Sequence, residues 1–198
     1  MSLAVVDSGG ANISSVLHAL HRLGVEPTFT HDAATIRAAD RVILPGVGAA
    51  GNAMEILRRH GLVDTLRGLQ QPVLGICLGM QLLFESSEED DASLLGLIPA
   101  RLARLPEQPN LRVPHMGWNA ISLTREDPLT RGIDGMWFYF VHSFAAPTGE
   151  WTLAQSVHGQ PFSAVVRHGN FTGAQFHPER SAGAGAHLLE NFLEDRAR

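Results

Sequence analysis

The sequence predicts an α/β fold: a central, mostly parallel sheet flanked by helices, with an additional antiparallel portion in the second half. Three observations point there. In the first half, apolar runs of strand length alternate with stretches of helical periodicity, the pattern of parallel strands joined by crossover helices. In the second half, short strand-like runs follow one another with turn residues between, as antiparallel pairs require. At residue 77 an apolar run ends in a cysteine, with a glycine two residues to either side and a helix-like stretch beyond. Sheets of this kind place their sites outside the carboxyl ends of strands.

Ser2 to Asp7 reads as a buried strand, turned by Ser8-Gly9-Gly10. Asn12 can cap a helix to about Leu23, with Ile13, Val16, Leu17 and Leu20 at helical spacing and Gly24 as its stop. Glu26 to Thr30 is a second strand and Ala33 to Ala39 a short helix. Arg41 to Leu44 is a third strand, ending in Pro45-Gly46-Val47-Gly48. A helical stretch from about Ala50 carries Met54, Leu57, Leu62 and Leu66 and is interrupted at Gly61. Val73 to Cys77 is the next strand. Glu85 to Asp91 is acidic and reads as a solvated loop. Leu97 to Arg104, Asn119 to Leu123, Met136 to Val141, Trp151 to Val157, Phe162 to Arg167 and Phe171 to Phe176 follow as shorter strands. Gly185 to Glu194 is a closing helix. No repeat or interdomain linker divides the chain, so residues 1–198 read as one domain.

Composition excludes several functions. A formal net charge of −5 argues against a general nucleic-acid binder, which needs a basic face. All 15 basic residues are arginine, so neither Schiff-base chemistry on lysine nor a Walker-type phosphate loop is available. One cysteine rules out an internal disulfide and a multi-cysteine zinc site, and it fits a reducing compartment. The chain opens without a signal-peptide pattern, and no run is long enough for a membrane span. The expectation is a cytoplasmic protein without cofactor or metal.

A lone cysteine is commonly an inert buried residue. The setting of Cys77 argues otherwise. It is the cysteine version of a nucleophile elbow, in which a strand-to-helix turn projects the reactive side chain. The flanking glycines remove side chains where the turn brings backbone together, and the helix beyond offers a positive dipole end that favours thiolate. A thiolate nucleophile needs a base, an orienting partner and an oxyanion hole. In Gln175-Phe176-His177-Pro178-Glu179-Arg180, residues two apart in an extended segment share a side, so Glu179 can orient His177 toward Cys77. The Pro45 to Gly48 loop can turn backbone N–H groups to an oxyanion, with the Leu78 N–H as second donor.

Gly75-Ile76-Cys77-Leu78-Gly79-Met80-Gln81, Pro45-Gly46-Val47-Gly48 and Phe176-His177-Pro178-Glu179, in this order and spacing over nearly the whole chain, resemble the triad-type (class I) glutamine amidotransferases. Within that class, Asp7-Ser8-Gly9-Gly10-Ala11-Asn12, Pro114-His115-Met116-Gly117-Trp118-Asn119 and Phe138-Tyr139-Phe140-Val141-His142-Ser143 resemble the glutaminase subunits of imidazole glycerol phosphate synthases, which work in histidine biosynthesis.

The resemblance implies a Cys77-His177-Glu179 triad that hydrolyses L-glutamine through a glutamyl thioester. It places the oxyanion hole at the backbone of Val47, Gly48 and Leu78. Gly46, Gln81, Glu89, Ser143 and Phe144 would bind the substrate, with Glu88 a rival for Glu89. It implies a heterodimer with a (β/α)8-barrel cyclase subunit that takes the ammonia, docked through Asn12, His115, Met116, Trp118, Tyr139 and Arg180. Phe138 and Phe140 are expected in the core instead. Two departures stand out: Ser8-Gly9-Gly10-Ala11 replaces the Tyr-Gly of many relatives, and arginine stands wherever lysine could serve at the partner surface. Three other readings remain open at this level. They are a glutaminase for another acceptor, a cysteine peptidase or hydrolase on a related fold, and a binding module that kept the fold. Relatives serving anthranilate or carbamoyl phosphate synthesis typically carry histidine where this chain has Met80.

Overall fold

The structure is a computed structural model, and it describes residues 1–9 and 13–195. The proposed helix cap at Asn12 lies outside the described residues. The first half runs β1 (Leu3–Val6), α1 (Ile13–Arg22), β2 (Thr28–Thr30), α2 (Ala33–Ala38), β3 (Arg41–Gly46), α3 (Ala50–Arg59), α4 (Val63–Arg67), β4 (Val73–Cys77) and α5 (Leu78–Gln81). The second half adds β5 (Phe84–Ser87), β6 (Ala92–Ser93), β7 (Ile98–Arg104), β8 (His115–Ala120), β9 (Ser122–Leu123), β10 (Trp137–His142), β11 (Phe144–Ala145), β12 (Thr152–His158), β13 (Gln160–His168), β14 (Phe171–Ala174) and α6 (Ala182–Glu194).

The main sheet has the order β2-β1-β3-β4-β14-β13-β12-β9. Its β2-β1-β3-β4-β14 part is parallel, and the pairs from β14 to β9 are antiparallel. The two portions expected from sequence are thus one continuous mixed sheet. Alternate residues of its buried strands supply two cores. Ala4, Val6, Val42 and Leu44 pack with Met54, Leu57 and Leu66 on one face. Leu3, Val5, Ile43 and Leu74 pack with Val16, Leu20, Leu188 and Phe192 on the other. Helices therefore cover both faces, which is why these strands read as continuous apolar runs.

Two smaller sheets complete the fold: β11-β7-β5-β6, and the antiparallel ribbon β10-β8. They correct three expectations. The acidic stretch is not a plain solvated loop. Its first residues form β5, parallel to β7, anchored by fully buried Phe84, and only Glu89–Asp91 is a 3-10 turn. The expected strand from Asn119 to Leu123 is two strands in two sheets, β8 and β9. The closing helix starts at Ala182, three residues early; Gly183 and Gly185 hide its first turn from propensity. Gly185 is there because a side chain would overlap the Pro178 carbonyl.

Three parallel strands end at one edge: Gly46 of β3 pairs with Cys77 of β4, and Ala174 of β14 pairs with Ile76. The Val47–Gly48 loop, Cys77 and the Gln175–Glu179 segment therefore leave the sheet side by side. The turn after β4 is the tightest point. A Cβ on Gly79 would overlap the Leu44 carbonyl oxygen, and one on Gly75 would lie 2.5 Å from the Gly79 oxygen. Both contacts are with backbone, which cannot move aside. Gly79→Ala is expected to destabilise the fold by about 3 kcal/mol or more, the class of strained-backbone and overpacking substitutions. Urea unfolding followed by far-UV circular dichroism measures this; a loss below about 1 kcal/mol would mean the turn can relax.

Candidate active site

A pocket of about 230 Å³ opens at this edge, lined by Val47, Gly48, Cys77, Leu78, Gln81, Glu89, Pro114, Val141, His142, Ser143, Phe144 and His177. Its volume lies below the ~300–1,000 Å³ of drug-sized ligand sites and suits one small metabolite.

Cys77 has φ 52° and ψ −109°, a left-handed backbone that few non-glycine residues adopt. The elbow is therefore present, with its strain held by the close packing of Gly75 and Gly79. The helix after it is a single turn, Leu78–Gln81. The expected positive helix end is therefore supplied by the local N–H groups of that turn. The Cys77 Sγ faces the Val141 carbonyl at 3.9 Å, and Gln175 Nε2 points at it from 3.8 Å.

His177 and Glu179 meet, but not as an extended pair. Pro178–Arg180 is a 3-10 turn, and it folds the Glu179 carboxylate back so that Oε1 lies 2.8 Å from His177 Nδ1. Both side chains are buried, and the ring's other nitrogen, Nε2, remains for the sulfur. The turn is tied to the ribbon. His177 N–H donates to the Tyr139 carbonyl at 2.9 Å, and Tyr139 N–H donates to Ser181 Oγ at 3.0 Å, which itself donates to the His177 carbonyl. Burial works to lower the His177 pKa. Hydrogen bonding and charge from the Cys77 sulfur and the Glu179 carboxylate outweigh it and push the value up to about 10.

Gln81 Nε2 donates to the Phe144 carbonyl at 2.9 Å and to Gln175 Oε1 at 3.0 Å. Glu89 lines the pocket and accepts from Ala50 N–H at 2.8 Å, where α3 begins. Its rival Glu88 instead accepts from Arg104 N–H on β7. Gly48 has φ +100°. Gly46 does not line the pocket; it lines a smaller cavity behind it, with His177 and Glu179. Among the described residues, no group of three histidine, cysteine, aspartate or glutamate side chains could hold a metal ion, and no helix is long and apolar enough to cross a membrane.

The ribbon separates the expected docking residues. Met116 and Trp118 are exposed, Trp118 pairs in register with Tyr139, and their rings meet at 6.2 Å. The Arg180 guanidinium lies over the Tyr139 ring at 5.8 Å. These four form one outward patch. His115 does not belong to it: strand alternation turns it inward, where it is 5% exposed. Asn12 lies outside the described residues. Phe138 and Phe140 are fully buried, as expected.

Sequence reasoning missed Gln175, which points at the Cys77 sulfur, and His142, which lines the pocket. Period-two alternation could have found both. Gln175 stands two residues before His177, and Phe138, Phe140 and His142 share the inner face of β10.

The glutamine amidotransferase class-I family model matches residues 4–196. The imidazole glycerol phosphate synthase subunit HisH of Xylella fastidiosa is 53% identical over 193 residues, covering 97% of this chain and 96% of that protein. The subunit of the same name from Idiomarina loihiensis is 53% identical over 194 residues, 98% of each chain. A solved glutamine amidotransferase superposes with a TM-score of 0.76 at 20% identity over 98% of each chain. A putative GMP synthase component from Thermoplasma acidophilum gives 0.74 at 19%, over 98% of this chain and 92% of that one. At such identities these two structures speak to the fold.

Two pH effects are expected. The His177 imidazole should titrate near pH 10 by NMR, and Cys77→Ala, which removes two of the influences that raise it, should lower that midpoint. An unchanged midpoint would mean the sulfur does not face the ring. Burial lowers His115 to about 4 and His142 to about 3. In the unfolded chain both titrate near 6.5. Between those values the unfolded state binds more protons, so their contribution is intact above pH 6.5 and is lost as pH falls toward 4. Urea unfolding from pH 7 to 4.5 should show falling stability, and His115→Phe should flatten the slope.

Proposed function

The chain belongs to the class I glutamine amidotransferases, and from that membership we infer that it is the glutaminase subunit of an imidazole glycerol phosphate synthase. It hydrolyses L-glutamine to glutamate and ammonia. It passes the ammonia to a (β/α)8-barrel cyclase subunit, which makes imidazole glycerol phosphate and aminoimidazole carboxamide ribotide in histidine biosynthesis. The observation that carries the reading is the buried His177–Glu179 pair, 2.8 Å apart, on the pocket that holds Cys77, in a chain whose relatives match it end to end.

The geometry supports the following chemistry. With the proton already on His177, the Cys77 sulfur attacks the side-chain amide carbon of glutamine. The carbonyl oxygen becomes an oxyanion, received by the Leu78 N–H and the Val47–Gly48 backbone. Each such donor is typically worth about 2.7–4 kcal/mol. The tetrahedral intermediate collapses. Its C–N bond breaks, the His177 imidazolium protonates the departing nitrogen, and a glutamyl thioester and ammonia remain. His177, now neutral, takes a proton from water as the water attacks the thioester. The C–S bond breaks, the sulfur leaves with the electron pair, the proton stays on His177, and glutamate leaves. Glu179 holds the imidazolium that forms at each stage. The Glu89 carboxylate offers the negative charge that the substrate ammonium needs, and Gln81 with the Ser143–Phe144 backbone holds the rest of the amino-acid end.

Ammonia set free in water is mostly protonated and no longer nucleophilic, so it needs a docked acceptor and a shielded path. The patch of Met116, Trp118, Tyr139 and Arg180 suits the cyclase subunit, since aromatics, methionine and arginine dominate interface cores. We place the heterodimer in the cytoplasm, in keeping with the single free cysteine.

Glutamate release should be measured for the chain alone, with the barrel subunit, and with that subunit plus its nucleotide substrate. The full complex should exceed the isolated chain by about 10²–10³-fold, the worth of one oxyanion donor set in place. Cys77→Ala should abolish the activity in all three settings. No rise with this partner would reassign the acceptor, and activity in Cys77→Ala would overturn the triad.

A further inference from the structure

A chain of side-chain hydrogen bonds runs through the ribbon and has no part in the reaction above. His142 Nδ1 lies 2.9 Å from the Phe144 carbonyl. A carbonyl only accepts, so Nδ1 carries the proton. The neutral ring then offers Nε2 as an acceptor. His115 Nδ1, 3.0 Å away, must donate to it. His115 Nε2 is an acceptor in turn, and Asn119 Nδ2 faces it at 3.4 Å. The amide's orientation is independently set: its Oδ1 takes the Ala120 N–H, and its Nδ2 also donates to the Val157 carbonyl at 2.9 Å. Every donor therefore points one way, from β8 toward the pocket. His115 is clamped between Phe140 and His158, at centroid distances of 4.9 and 4.2 Å. Burial keeps both rings neutral, so the direction holds through the neutral range. Protonating either ring would set two donors face to face.

The chain continues past Phe144. The same carbonyl accepts from Gln81, Gln81 donates to Gln175, and Gln175 points at the Cys77 sulfur. At its other end, His115 and Asn119 sit on the strand whose outer face carries Met116 and Trp118. One strand thus presents the docking patch on one side and begins this relay on the other.

We propose that His115 and His142 are positioning residues for glutamine hydrolysis: their one-way hydrogen bonds fix the Phe144 carbonyl, and through it Gln81 and Gln175, according to how β8 is seated on the partner. The proposal rests on the glutaminase reading and extends it.

The test uses the complete heterodimer with its nucleotide substrate. His115→Phe keeps the ring stack and removes the donor. His115→Asn places an amide N–H near the lost Nδ1 and restores it. The Phe variant is expected to raise KM for glutamine about tenfold, the effect of losing one hydrogen bond and stranding its partner, with kcat within about threefold. Partner affinity should stay within about threefold, because the side chain is buried. The Asn variant should recover KM to within about threefold of the parent. An unchanged KM in the Phe variant, or an Asn variant no better than Phe, overturns the proposal. Nitrogen NMR of the unmodified heterodimer decides independently of folding: a proton on His142 Nδ1 supports the relay, and one on Nε2 ends it. An inactive unmodified heterodimer would instead fail the glutaminase reading, whatever the tautomers.

Discussion

The site depends on one steric constraint, the close approach of the turn after β4 to the end of β3. No side chain fits at residue 79 because the Leu44 carbonyl oxygen occupies its place, and residue 75 is closed by the Gly79 backbone. This contact holds Cys77 in its left-handed conformation and sets Leu78 beside the Val47–Gly48 loop. A non-glycine residue at positive φ costs of order 1–3 kcal/mol. Fully burying each of Leu74, Ile76 and Met80, the neighbours of the turn, returns about 1.5–3 kcal/mol, so packing wins and the strain persists.

The ribbon of β8 and β10 is the second organising element. Its inner face is welded to the core by Phe138, which stacks on Phe176 just ahead of His177, and by Phe140, which meets the same ring edge-on. Its backbone holds the triad turn through Tyr139, and its outer face is the aromatic patch. The energies on the two faces differ. Buried aromatic pairs add about 0.5–1.5 kcal/mol beyond their large burial, whereas an exposed cation–π contact such as Arg180 over Tyr139 adds about 0.5–1. The outer contact can therefore be exchanged for a partner's groups without loosening the inner one.

Three buried histidines around the pocket show what decides a charge state. Burial pushes the pKa of each downward. His115 and His142 hydrogen-bond to one another, an amide and a carbonyl, and the charge of neighbouring histidines adds to burial, so both stay neutral. His177 meets a carboxylate and a sulfur that can carry charge, so burial loses and the proton is held. The neutral pair suits directed hydrogen bonds, and the charged ring suits delivery of a proton to a departing amine.

Much of this is legible in the sequence because it is written in local terms. The apolar runs mark the parallel strands, Gly75 and Gly79 around Cys77 mark the elbow, and the His-Pro-Glu segment marks the base and its partner. What the tertiary structure alone decided depends on which surfaces meet. The sequence could not say that β5 pairs beside β7, since Ser86 and Ser87 look as polar as a loop; the anchor is Phe84. The sequence named Glu89 with Glu88 as its rival; it could not say that a 3-10 turn brings Glu89 to the start of α3 on the pocket, while Glu88 turns to Arg104 of β7. The motif around His115 points to docking because a motif does not tell inside from outside, and the pairing of β8 with β10 turns that residue inward. His177 and Glu179 meet through a turn, not an extended segment, because Pro178 starts a 3-10 helix that packs against Gly185 of α6. Residue types and spacing named the chemistry; the distances that let it operate come from contacts between segments far apart in the chain, and no local pattern encodes those.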